Sequence, residues 1–134
     1  MKPMVESVTN FLTPYAAIGL AGSVGAVLRY VLANVSGRIF GTGFPVGTFI
    51  INMSASLLLG WFLTVVRDRT VVSETVRLAV AVGFIGTYST FSTFAYESNS
   101  LLEDGAGIKA MANMLGSVIG GLIAVRIGIA LAAR

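Results

Sequence analysis

Four long apolar stretches, joined by short connections rich in glycine and charge, leave this chain few ways to fold. They lie at about 15–35, 44–66, 76–102 and 108–132. A helix needs about 20 mostly apolar residues to cross roughly 30 Å of hydrocarbon, and each stretch meets that length. The connections SGRIFGTGFP, RDRTVVSE and EDGAG carry the breakers. Only 11% of the 134 residues are charged, against about 25% in an ordinary soluble domain. The expected fold is therefore all-α, a single four-helix domain over 1–134, multi-pass in a lipid bilayer.

Short connections make neighbouring spans antiparallel and place both termini on one side. Lys2, Arg67, Arg69, Arg77 and Arg134 then fall on the side of the termini. Arg38 and Lys109 fall on the other, and Arg29 leans that way inside the first span. The positive-inside rule favours cytoplasmic termini by a small margin. A chain with so little bias is suited to insertion in both orientations. The N-terminal stretch MKPMVESVTNFLTPY lacks the order of a secretory signal peptide.

Several chemistries are disfavoured at once. The chain has no cysteine and no histidine, which removes thiolate chemistry, the commonest general base and the commonest metal ligand. A formal net charge of +3 without a basic run gives no footprint for nucleic acid. The glycine-rich GTGFPVG lacks the Lys-Ser/Thr end of a phosphate-binding loop and reads as a turn before a helix start. No enzyme is expected.

The third span is the anomaly. It contains GFIGTYSTFSTFAYES (83–98), with four hydroxyl residues in succession from Thr87 to Thr90. Such a run is poor material for a lipid-facing helix. Unwound backbone at membrane depth is tolerated where it is buried in protein or lines a wet cavity, so a break is expected between Gly86 and Thr90. Carbonyls freed at a break suit a small hard cation. Ser89, Ser92, Thr93 and Tyr96 share one helical face by spacing, with Phe91 and Phe94 opposite. Ring edges are electropositive, so rings and hydroxyls together can meet an anion. Plain packing by the rings, with the hydroxyls satisfying backbone carbonyls, explains the same pattern.

Other polar residues interrupt the apolar spans. Asn52 lies in the second, and Asn113 stands one turn before Ser117 in the fourth; interhelical hydrogen bonding is one role for them and a polar pathway another. Arg29 either snorkels or draws anions to an entrance, Arg126 snorkels, and Glu97 either pairs with a basic residue or couples to protons. Small residues at four-residue spacing, Gly22 with Ala26, Ala21 with Gly25, Gly116 with Gly120 and Ser117 with Gly121, suit close helix packing.

The motifs GLAGSVGAVLRY (19–30), GTFIIN (47–52) and GFIGTYSTFSTF (83–94) stand in this order along the chain. Together they resemble the Fluc/CrcB family of fluoride channels, over nearly the whole chain. That resemblance implies an antiparallel, dual-topology homodimer in the cell membrane, a bacterial inner membrane being expected. It also implies a third helix broken near its centre and two fluoride pathways built from both subunits. A structural sodium ion (Na+) would sit centrally on backbone carbonyls, by motif position those of Gly86 and Ser89. The family commonly has threonine where this chain has Ser89. Phe91 and Phe94 match the family phenylalanines, Asn52 matches the pathway asparagine, and Ser92 and Thr93 match the polar track. Ser117 matches a serine of the fourth helix, whereas Asn113 stands where the family often has tyrosine. Arg29 is expected at a vestibule or as a structural charge.

Fluoride is small and strongly hydrated, so a pathway must replace its water with closely spaced donors. Neutral donors also permit release. The competing expectation is a small dual-topology exporter coupled to protons through Glu97. Exporters of cationic compounds need a membrane carboxylate, typically in the first span, and span one offers Arg29 and no acid.

Overall fold

The structure, a computed structural model, describes residues 2–67 and 72–133, with side chains from residue 12 onward. Of the basic residues that set the orientation, Arg69, Arg134 and the side chain of Lys2 lie outside the described residues. The order is α1 (Lys2–Phe40), α2 (Val46–Val66), α3 (Glu74–Leu78), a π-helical segment (Ala79–Ile85), α4 (Gly86–Tyr88), α5 (Phe91–Glu103) and α6 (Gly107–Ala132). Among the described residues there is no strand. Four helical stretches are long and apolar enough to cross a membrane: Leu12–Phe40, Val46–Val66, Glu74–Glu103 and Gly107–Ala132. Even the shortest, the 21-residue α2, matches a hydrocarbon thickness of roughly 30 Å.

The first helix is longer than the expected 15–35. Residues Ser36 to Phe40 read as the start of a connection, yet they continue α1. The stop comes at Gly41, whose φ of +74° is a left-handed conformation that glycine adopts without strain. Helix α5 ends the same way at Gly105, φ +72°. There the Gly105 and Ala106 amides return to the Leu102 and Leu101 carbonyls, the paired bonds of a Schellman cap. Ser73 caps α3 by accepting the Val76 N–H at 3.3 Å.

Two packed pairs organise the chain. Helix α2 lies along α6, and α1 lies along the π-helical segment. The closest backbone approach between α2 and α6 occurs at Gly60 and Gly128. A methyl on Gly60 would sit 2.5 Å from the Val125 carbonyl oxygen, and one on Gly128 would meet the Leu57 carbonyl and come within 2.8 Å of the Trp61 nitrogen. Neither glycine belongs to the small-residue pairs singled out by spacing. Gly22, which does, is buried with its own Cα facing Thr87 and Gly83 across the α1 interface.

The buried apolar core is small and consists of Ile51, Ala55, Ile85 and Tyr88, with Leu32, Leu59, Phe62, Val80 and Phe84 against it. It draws on α2 and on the last turns before the break. Large apolar side chains elsewhere point outward, as lipid as a solvent permits.

Candidate functional site

The third span is interrupted at two residues. Gly86 to Tyr88 are still helical, so the interruption is narrower than the expected Gly86–Thr90. Ser89 has φ −73° and ψ 162°, and Thr90 has φ −152° and ψ 114°, both extended. Ser89 therefore lies outside α5, and the wheel that grouped it with Ser92, Thr93 and Tyr96 does not apply to it. The π-helical segment just upstream widens the helix over Ala79–Ile85. Such segments recur at functional sites.

Side chains hold the interruption open. Asn52, on α2, grips the Thr90 peptide with both ends of its amide: Nδ2 donates to the Thr90 carbonyl at 3.1 Å, and Oδ1 accepts the Thr90 N–H at 2.9 Å. Thr90 is also the N-cap of α5, since its Oγ1 accepts the Thr93 N–H at 3.3 Å. Its hydroxyl donates to Thr93 Oγ1 at 2.9 Å. Upstream, Thr87 Oγ1 lies 2.8 Å from the Gly22 carbonyl and 2.7 Å from its own Gly83 carbonyl. Tyr88 is buried, with its hydroxyl 2.8 Å from Ser54 Oγ and its ring stacked on Phe84.

These bonds redirect two amide hydrogens. In an unbroken helix the N–H of residue i reaches the carbonyl of i−4. The Thr90 N–H would serve Gly86, and the Thr93 N–H would serve Ser89. Here they go to Asn52 Oδ1 and Thr90 Oγ1 instead. The Gly86 carbonyl keeps a long contact, 3.4 Å, from the Ser89 hydroxyl. The two carbonyls assigned to a cation are thus among the four, Gly86 to Ser89, that lose their helical donors at the break, and they are the two whose donors are captured by side chains.

Beyond the break, α5 opens with the two rings. Phe91 and Phe94 are tilted at 48° with centroids 5.7 Å apart. Phe91 is 78% exposed in the single chain and Tyr96 74%. Ser92 and Thr93 are exposed as well. Behind the break, a cavity of about 270 Å³ is lined by Arg29, Tyr30, Thr48, Thr90 and Thr93. The structure thus brings Arg29 to the same space as Thr93, one turn from the residue that Asn52 grips.

A second cavity, also about 270 Å³, opens at the α1–α2 turn and is lined by Gly37, Pro45, Thr48, Glu97, Ser100 and Asp104. Thr48 and Ala33 border both cavities. Thr48 Oγ1 donates to Glu97 Oε1 at 2.9 Å. The other carboxylate oxygen of Glu97 is buried without a hydrogen-bond partner among the described residues. The polar contact that the structure gives Glu97 is therefore with a hydroxyl. Arg77 donates to the Val66 carbonyl at 2.9 Å.

Asn113 is turned inward, only 1% exposed. Its Nδ2 donates to Ser98 Oγ at 2.9 Å, and Ser98 Oγ donates to the Phe94 carbonyl at 2.7 Å. The contact from Ser117 Oγ to Asn113 Oδ1 is long, 3.5 Å. Within the subunit these groups link α6 to α5 and do not line either cavity.

Sequence reasoning missed Thr90 as clamp partner and cap, Thr48 as the wall between two cavities, and the Tyr88–Ser54 contact. Thr90 carried a readable signal, because Thr-x-x-Thr opening an amphipathic run has the form of an N-cap. Thr48 carried none, since its partner Glu97 lies on another span.

The family described as CrcB-like protein, Camphor Resistance (CrcB), matches residues 16–129. A protein of Chloroflexus aurantiacus named Fluoride-specific ion channel FluC is 49% identical over 115 residues, 86% of this chain and 91% of the relative. Proteins of the same name from Legionella pneumophila and from a Synechococcus strain are each 39% identical, over 87% of this chain and over 87% and 89% of their own lengths. The matched region runs from the first span through the break to the last, so this chain belongs to the CrcB-like family.

Proposed function

We propose that this protein is a fluoride-selective channel that lets fluoride leave the cell passively. The observation that carries the reading is the broken third span, in which two aromatic rings and a row of hydroxyls follow directly on a capped helix start. The N-terminal end of α5 bears the positive end of a helix dipole. Phe91, Ser92, Thr93 and Phe94 occupy its first turn, so an anion there meets ring edges, hydroxyl hydrogens and dipole without a full positive charge. Asn52 keeps one Nδ2 hydrogen beyond the one given to Thr90. These are neutral donors, which bind fluoride firmly enough to replace water and weakly enough to release it. The names of the relatives support the choice of ion.

The active form in this reading is an antiparallel homodimer. Ser92, Thr93 and the Phe91 and Tyr96 rings form a mixed polar and aromatic face that lipid alone would cover poorly. A second copy in the opposite orientation would cover it and give two pathways, with Ser117 and Asn113 on the supporting helix of each. Arg29 would raise the anion concentration in the cavity beside Thr93.

The released carbonyls fit a sodium ion at the centre. Hard cations take oxygen ligands, usually six or so for calcium-sized ions. Gly86 and Ser89 would supply two from one chain, and a second chain would supply the same two. Gly86 opens the three-residue α4 and Ser89 follows it, at the C-terminal, negative end of the helical run that begins at Glu74. Bound sodium would supply a fixed positive potential between two anion pathways.

The reading is tested with liposomes loaded with potassium fluoride. On adding valinomycin, vesicles containing the protein should release fluoride far faster than matched vesicles release chloride. Release at the rate of empty vesicles would refute the channel.

A further inference from the structure

The Asn52 amide is placed to do something beyond offering one hydrogen to the permeating ion. Its Oδ1 occupies the Thr90 N–H at 2.9 Å, and that hydrogen is the one a continuous helix would deliver to the Gly86 carbonyl. One turn on, Thr90 Oγ1 occupies the Thr93 N–H, which would otherwise serve the Ser89 carbonyl. We propose that Asn52 and Thr90 are positioning residues for the central cation: their side chains take two amide hydrogens and so keep the Gly86 and Ser89 carbonyls open as ligands. This rests on the reading of those carbonyls as the sodium site.

The physical logic is competition for a donor. A carbonyl that accepts a helical hydrogen bond has part of its negative charge already satisfied and points along the helix axis. A carbonyl whose donor is captured elsewhere can turn to a cation. Unpaired carbonyls at membrane depth are unfavourable, so without Asn52 the segment gains by closing the Thr90 N–H onto Gly86 and lengthening α4. Asn52 sits on α2, not on the broken span, so the packing of α2 against the break sets the cation site. The second end of the amide, Nδ2 on the Thr90 carbonyl at 3.1 Å, fixes the orientation of the amide so that Oδ1, not Nδ2, faces the amide hydrogen.

Other contacts at the break provide an internal comparison. Tyr88 is also buried and also bonds to α2, through Ser54 at 2.8 Å. That contact takes no backbone hydrogen from Gly86 or Ser89. Tyr88→Phe should loosen the fold without altering the cation site.

The experiment measures the thermal melting of the purified full-length protein in detergent across a sodium chloride titration, with total ionic strength held by choline chloride. A ligand that binds only the folded form raises the melting temperature with the logarithm of its concentration above the dissociation constant. Wild type should show a sodium-specific rise. Asn52→Leu and Thr90→Val should each move the sodium midpoint upward by tenfold or more; Thr90→Val keeps the branched shape and protects the test if Asn52→Leu folds poorly. Asn52→Asp keeps an acceptor for the Thr90 N–H but sets a carboxylate oxygen against the Thr90 carbonyl, so its midpoint should fall between those of wild type and Asn52→Leu. Tyr88→Phe should melt earlier with an unchanged midpoint. The inference is overturned by a wild type indifferent to sodium, by unchanged midpoints in Asn52→Leu and Thr90→Val, or by an equal shift in Tyr88→Phe. A wild type that binds sodium but carries no fluoride would refute the channel reading alone.

Discussion

Replacing Gly83 by alanine tests how α1 is held against the widened part of the third span. Gly83 is buried in the π-helical segment. A methyl there would lie 2.7 Å from the Ile18 carbonyl oxygen, 3.0 Å from Ala21 Cβ and 3.1 Å from Ile18 Cα. Two of these atoms are backbone and cannot swing aside. Since ordinary Cβ contacts begin at 3.4 Å, α1 must retreat by roughly half an ångström or more. That movement pulls Gly22 away from Thr87, whose hydroxyl lies 2.8 Å from the Gly22 carbonyl. Overpacking of this kind costs about 1–3 kcal/mol. The comparison is Gly37→Ala on α1, where nothing lies within 4 Å of the added methyl. It should gain up to about 1 kcal/mol from helix propensity. The two variants should therefore differ by about 2 kcal/mol, roughly thirtyfold in the ratio of folded to unfolded protein. Thermal melts in detergent, read beside gel-filtration profiles, measure the difference. Because both alanines gain the same helix propensity, equal melting of Gly83→Ala and Gly37→Ala would refute the argument that α1 is in backbone contact with the π-helical segment.

Phe91→Ile and Phe94→Ile keep apolar bulk and lose the electropositive edge, so fluoride efflux per amount of folded protein should fall sharply while gel filtration stays normal; wild-type efflux in both would remove the rings from the mechanism. Ser89→Ala should be mild in both efflux and melting, because the assigned ligand is the carbonyl, and a severe loss would assign the role to the hydroxyl. Asn113→Leu removes the donor to Ser98, and melting should report a loss of about 1 kcal/mol, the usual size of an interhelical hydrogen bond in lipid; in the Ser98→Ala background the same change should cost less. Cysteine placed at Arg38 or at Ser73, in a chain with no native cysteine, should be labelled by an impermeant thiol reagent in intact cells at partial stoichiometry at both sites. Full labelling at one site and none at the other would contradict dual topology.

The spans were legible because bilayer thickness converts directly into apolar length. The break was legible because Thr87 to Thr90 could not be reconciled with a lipid-facing helix. Its exact place was not: Gly86 looks like the natural weak point, yet Gly86 to Tyr88 remain helical, because the break is fixed from outside by Asn52 on α2. The end of α1 was misplaced for a related reason. Ser36, Gly37 and Arg38 look like a turn, but a helix persists until a residue ends it, and that residue is Gly41 with its positive φ. Asn113 shows the limit of one-dimensional reading most clearly. Interhelical bonding was one of two roles its sequence left open, and the structure gives that bond, but its partner, Ser98 on α5, could not be read from spacing.

The most direct test of the central claim is a reversal-potential measurement on planar bilayers containing the purified protein, with fluoride on one side and chloride on the other. A passive fluoride channel predicts a current that reverses at a voltage set by the fluoride gradient, unchanged when the pH of one side is moved by about two units. A reversal potential that follows the chloride gradient, or that shifts with the proton gradient as an exporter coupled through Glu97 would require, would contradict the account.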